Sequence, residues 1–72
     1  MININKLKGK IVERGMSVGT LAPQVGIDKA TFYRKLQNGG EDFTIREVGL
    51  IVDALELNLV EANDIFFTQL VS

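Results

Sequence analysis

Residues 17–37 read Ser17-Val18-Gly19-Thr20-Leu21-Ala22-Pro23-Gln24-Val25-Gly26-Ile27-Asp28-Lys29-Ala30-Thr31-Phe32-Tyr33-Arg34-Lys35-Leu36-Gln37. Ser17 is suited to cap a helix, because its hydroxyl can accept a backbone N–H of the first turn. Leu21, Ala22 and Val25 then fall on one face of the helix it opens. Gly26 is a turn residue, and Asp28 is a second cap. The helix predicted over Lys29 to Gln37 places Phe32 and Leu36 together at i, i+4. Two short helices joined by a glycine-containing turn make a helix-turn-helix unit. Ala22 is small where the two helices cross, and Val25, Ile27 and Phe32 fill the wedge between them. Pro23 lacks an N–H and crowds the carbonyl four residues back, so a first helix bent or confined to its first turns is expected.

The flanking sequence is also helical in period. Asn3 to Arg14 carries Ile4, Leu7, Ile11 and Val12 as an apolar stripe, with Asn3 or Asn5 as the cap and Gly15 as the stop. Asn38-Gly39-Gly40 ends the helix after the turn. Thr44-Ile45-Arg46-Glu47 is a capping box, followed by Val48, Leu50, Ile51, Ala54 and Leu55, and Phe43 just before it can staple onto Val48. Asn58 reads as the residue past that helix, with Leu59 packing back. Glu61 to Phe67 reads as a last short helix with Ala62, Ile65 and Phe66 on one stripe. No segment alternates as a strand does. The expected architecture is all-α, one domain over residues 1–72, a bundle of about five short helices, with the tail 68–72 fraying.

Composition excludes much chemistry. The 72 residues contain no cysteine and no histidine, so thiolate chemistry, disulfides and histidine-based nucleophilic catalysis are all absent. The pairs Glu41-Asp42 and Glu61/Asp64 read as solvated carboxylates rather than an acid pair or a metal site. No enzyme activity, cofactor or metal is expected. Met1-Ile2-Asn3-Ile4-Asn5-Lys6 is no signal peptide, and no run reaches the length of a membrane span. These features predict a soluble cytoplasmic module.

Charge is segregated along the chain. Residues 1–36 hold seven cations against two carboxylates, a net +5, and residues 37–72 hold one cation against seven carboxylates, a net −6. A basic half suits a polyanion, and an acidic half is repelled by it. The isoelectric point of 5.2 is low for a DNA-binding domain.

The chain resembles the Cro/repressor-type helix-turn-helix regulators of bacteriophages and bacteria. The matching residues are Met16-Ser17, Leu21-Ala22, Val25-Gly26-Ile27, Thr31-Phe32-Tyr33-Arg34, Leu36 and Asn38-Gly39. The stretches Leu57-Asn58-Leu59, Glu61-Ala62 and Ile65-Phe66-Phe67 are similar to small phage regulators of Gram-positive hosts. The resemblance spans residues 6–67. It implies a five-helix bundle that takes part in lysis–lysogeny control. More narrowly, the chain looks like the modulator-of-repression antirepressors, which bind the phage repressor as well as touching the switch DNA.

The resemblance also assigns roles. The outer face of the helix after the turn, Lys29, Ala30, Tyr33, Arg34 and Gln37, would enter a major groove. Arg34 and Lys29 suit guanine or phosphate, while Ala30 offers only a methyl group. Val18 stands where the family often has a polar phosphate contact, and Asp28 adds a carboxylate. Weak operator binding is therefore expected. Two surfaces suit a protein partner. One is Asp28, Tyr33, Glu41, Asp42 and Phe43, acidic and aromatic together, as the basic DNA-reading domain of a repressor requires. The other is the C-terminus, where Phe66 and the adjacent Phe67 cannot both face one core and Leu70 continues an uncharged tail. A monomer or weak homodimer, with no membrane partner, is expected.

Overall fold

Each helix begins at a polar side chain that accepts a backbone N–H left unpaired by the helix itself. The computed structural model describes residues 2–67. They form α1 (Ile4–Glu13), α2 (Val18–Val25), α3 (Lys29–Gln37), α4 (Ile45–Ala54) and α5 (Leu59–Phe66), and no strand occurs among them. Asn3 caps α1 through the N–H of Lys6 at 3.1 Å. Asp28 caps α3 through that of Thr31 at 2.6 Å. Ser17/Thr20, Thr44/Glu47 and Asn58/Glu61 are reciprocal capping boxes.

Five details differ from the sequence reading. Asn58 starts α5 rather than following α4, so α5 begins at Leu59 and not at Glu61. The residue that leaves α4 with positive φ is Glu56, at +52°. Leu59 does not pack back: it is 77% exposed, as a first-turn residue facing away from the core. Val12 leaves the apolar stripe of α1 and is 74% exposed, one step round the helix from the buried Ile11. Pro23 does not confine α2 to its first turns, since the helix runs on to Val25 and closes at Gly26, φ +84°.

The core is built by Leu7 and Ile11 of α1, Leu21, Ala22 and Val25 of α2, Phe32 and Leu36 of α3, Ile51 of α4, and Ala62, Ile65 and Phe66 of α5, with Phe43, Leu55 and Leu57 from the connections. Phe32 is fully buried and meets Phe43 edge-on, ring centroids 5.2 Å apart. Burial of a side chain this size stabilises by about 2–3 kcal/mol. α2 packs on both α3 and α4, and α1 packs on α5. The helix-turn-helix unit is thus clamped from behind by α4.

Long-range polar contacts close the α1–α5 seam. Lys10 pairs with Glu61, Lys6 with Asp64, and Arg14 with Glu61 at 3.7 Å. Arg14 Nε also donates to the carbonyl of Leu55 at 2.7 Å, at the open end of α4. The hydrogen bond from Lys10, then that from the Asn58 N–H, hold the Glu61 carboxyl below its ordinary range. The N–H of Asn3 donates to Ile65 O at 2.7 Å, which ties the N-terminus to the last helix. No described helix is long and apolar enough to cross a membrane.

Candidate functional site

The side chains predicted to read DNA lie together on one exposed face. Lys29, Ala30, Tyr33, Arg34 and Gln37 are all exposed on α3, because Phe32 and Leu36 take the opposite side into the core. Lys29 Nζ sits 6.0 Å from the centroid of the Tyr33 ring. The stem of Lys29 lies over the first turn of α2: its Cδ would be 3.8 Å from a Cβ placed on Gly19. That first turn carries no acidic residue.

Asp28 stands at the N-terminal end of the same face. The N–H of Thr31, and then its hydroxyl, hold the Asp28 carboxyl below its usual range. It is therefore ionised at neutral pH, as a helix N-terminus favours.

Packing cancels much of the charge segregation along the chain. Of the seven cations in residues 1–36, Lys6, Lys10, Arg14 and Lys35 are ion-paired to Asp64, Glu61 and Glu47 of the acidic half. Among the described residues, Lys8, Lys29, Arg34 and Arg46 have no carboxylate within ion-pair distance. Of the basic half, only Lys8, Lys29 and Arg34 therefore stay outside such pairs among the described residues. The loop after α3 adds two exposed carboxylates. Asp42 accepts from Asn38 Nδ2 at 2.8 Å, while Glu41 has no bonded partner among the described residues.

The aromatic residues proposed for protein contact are placed unevenly. Tyr33 is 46% exposed and Phe67 44%. Phe43 and Phe66 belong to the core instead, because Phe43 packs edge-on against Phe32 and Phe66 closes the last turn of α5. Leu70 lies outside the described residues.

The two protein-contact surfaces nevertheless meet. Glu41, Phe43, Phe66 and Phe67 line one apolar groove of about 420 Å³, together with Ile2, Gly40, Ile45 and Val48. Sequence reasoning missed Ile2, Gly40 and Ile45. Ile45 continues the spacing of Val48 and Ile51 back to the first position of α4, beyond the edge of the core, and is 93% exposed. Gly40 has φ +77°, and a Cβ there would lie 2.8 Å from Ile2 Cδ1. Only glycine lets Ile2 form that wall.

No family model, no curated protein and no solved structure matches this chain.

Proposed function

We propose that the protein is a phage-type transcription regulator of a lysis–lysogeny switch, acting as an antirepressor in the cytoplasm of the bacterial host. It binds the N-terminal DNA-binding domain of the phage repressor and keeps that domain off its operator. The observation that carries this reading is the internal pairing of Lys6, Lys10, Arg14 and Lys35. With those four cations spent on carboxylates of the same chain, half of the eight Lys and Arg are left to release counterions from DNA, namely Lys8, Lys29, Arg34 and Arg46. The acidic and aromatic groups Asp28, Tyr33, Glu41 and Asp42 suit a basic protein surface better than a phosphate backbone. The protein works without cofactor, as a monomer or a weak homodimer.

A competition assay tests this. Repressor is bound to labelled operator DNA, and the protein is added. Release of the DNA near one equivalent supports the reading, as does weaker release by the Glu41→Gln/Asp42→Asn variant. A repressor–operator complex that survives a large excess of the protein refutes it.

One observation favours a second reading, a Cro-like repressor that binds operator DNA through α3. Lys29, Tyr33 and Arg34 are exposed side by side, and Lys29 lies over the acid-free first turn of α2. Under that reading these three side chains enter the major groove. Tight operator binding by the protein alone, falling steeply with salt, would favour it.

A further inference from the structure

The groove beside α4 has the make-up of a docking site. Its floor is Phe43 and Phe66, both buried, and its rim is Ile45 and Phe67, both exposed. A β-branched side chain left 93% in water at a helix start contributes nothing to this fold. Next to a concave apolar floor it contributes a contact for an incoming side chain. The groove is framed by helices α4 and α5 and by the chain on either side of Gly40, and no strand edge to extend occurs among the described residues, which leaves a helix as the docking element.

Charge selects among occupants. Among the described residues, Glu41 is the only charged one lining the groove, and no cation of the described chain pairs with it. The C-terminal residues Thr68-Gln69-Leu70-Val71-Ser72 bring no positive side chain. A second copy, set groove to groove, would bring an identical carboxylate to the same interface. A basic amphipathic helix satisfies both features, with its apolar side chains on Phe43, Val48 and Phe67 and a Lys or Arg on Glu41.

We propose that this groove docks a basic amphipathic helix of another protein. The groove takes Glu41 and Phe43 from the acidic partner surface and Phe66 and Phe67 from the C-terminal one, but it lies off the outer face of α3 and leaves out Asp28, Tyr33 and Asp42, so it stands whichever partner that face takes.

The test is an NMR titration of the labelled full-length protein with two synthetic amphipathic peptides of about 16 residues. One is built from Leu, Ala and Lys, the other from Leu, Ala and Glu. The Lys peptide should move the amide signals of Ile45, Val48 and Phe67 and bind about tenfold more tightly than the Glu peptide. Glu41→Lys should invert that preference, and Ile45→Ala should weaken both. Unmoved spectral signals elsewhere would report that these surface variants keep the fold. Equal binding of the two peptides, no binding, or shifts confined to Tyr33 and its neighbours would overturn the proposal. Two further outcomes would assign the groove to another occupant and overturn it equally. One is movement of the same signals with protein concentration alone, which points to a second copy. The other is movement on Leu70→Ser/Val71→Ser substitution, which points to the chain's own tail.

Discussion

Lys35 of α3 reaches Glu47 of α4 at 2.7 Å, and both side chains are nearly hidden, 13% and 14% exposed. The same Glu47 oxygen accepts the N–H of Thr44, and Lys35 also donates to the carbonyl of Asp42. Its ammonium lies 5.8 Å from the centroid of Phe43. One ion pair thus fixes the end of α3, the acidic loop and the start of α4.

Removing the cation of that pair leaves a nearly buried carboxylate without its partner. Lys35→Met should lower the unfolding free energy by about 1–3 kcal/mol. A melt would read this as a fall of several degrees for a domain this small. An unchanged melting temperature would mean that the pair is incidental.

The same pair predicts a pH dependence. Burial opposes ionisation of Glu47, but the hydrogen bonds from Lys35 and the Thr44 N–H outweigh it and hold its pKa below the ordinary 4.5. A depressed carboxylate stabilises fully above its unfolded pKa, and that stability is lost as pH falls through the folded value. The gap in stability between wild type and Lys35→Met should therefore narrow as pH drops below 4.5. Urea unfolding at successive pH values measures it. A gap that widens toward acid would contradict the assignment.

Gly40 carries the wall of the groove. Gly40→Ala adds a Cβ 2.8 Å from Ile2 at a φ of +77°. Strain and displacement of Ile2 together should cost about 1–3 kcal/mol. The amide signals of Ile2 and Asn3 should shift with it, because Asn3 bonds Ile65 from the same segment. A variant with both signals in place would show that the wall can yield.

Pro23 leaves the carbonyl of Gly19 without its helical donor. Pro23→Ala restores that N–H, so chemical denaturation should show α2 stabilised by about 1 kcal/mol, the gain being reduced by the freer unfolded chain. A destabilised variant would mean that the proline ring contributes packing that outweighs the missing bond.

The helix-turn-helix unit was legible because its signals are local. Ser17, Asp28 and Thr44 cap within three residues of themselves, and Gly26 needs only its own φ. Asn58 was misread because asparagine suits both a left-handed stop and an N-cap, and Glu61 three residues later is the signal that decides for the cap. The candidate site was legible where it follows from helical phase, as with Tyr33 and Arg34 outward and Phe32 inward. It was illegible where distant segments meet. Lys10 and Glu61 are 51 residues apart, so charges segregated along the sequence into a basic and an acidic half are partly paired in space. Phe43 reads both as a staple onto Val48 and as a partner contact, because the sequence does not reveal that Phe32 awaits its ring.

Direct binding bears hardest on the antirepressor account. The isotope-labelled protein is titrated at near-physiological salt first with phage switch-region DNA, then with the DNA-binding domain of the repressor that the account makes its partner. The account predicts that DNA leaves the signals from Ser17 to Gln37 nearly in place, while the repressor domain moves Asp28, Tyr33, Glu41 and Asp42. Sub-micromolar DNA binding that moves Lys29, Tyr33 and Arg34, with no response to the repressor, would contradict it.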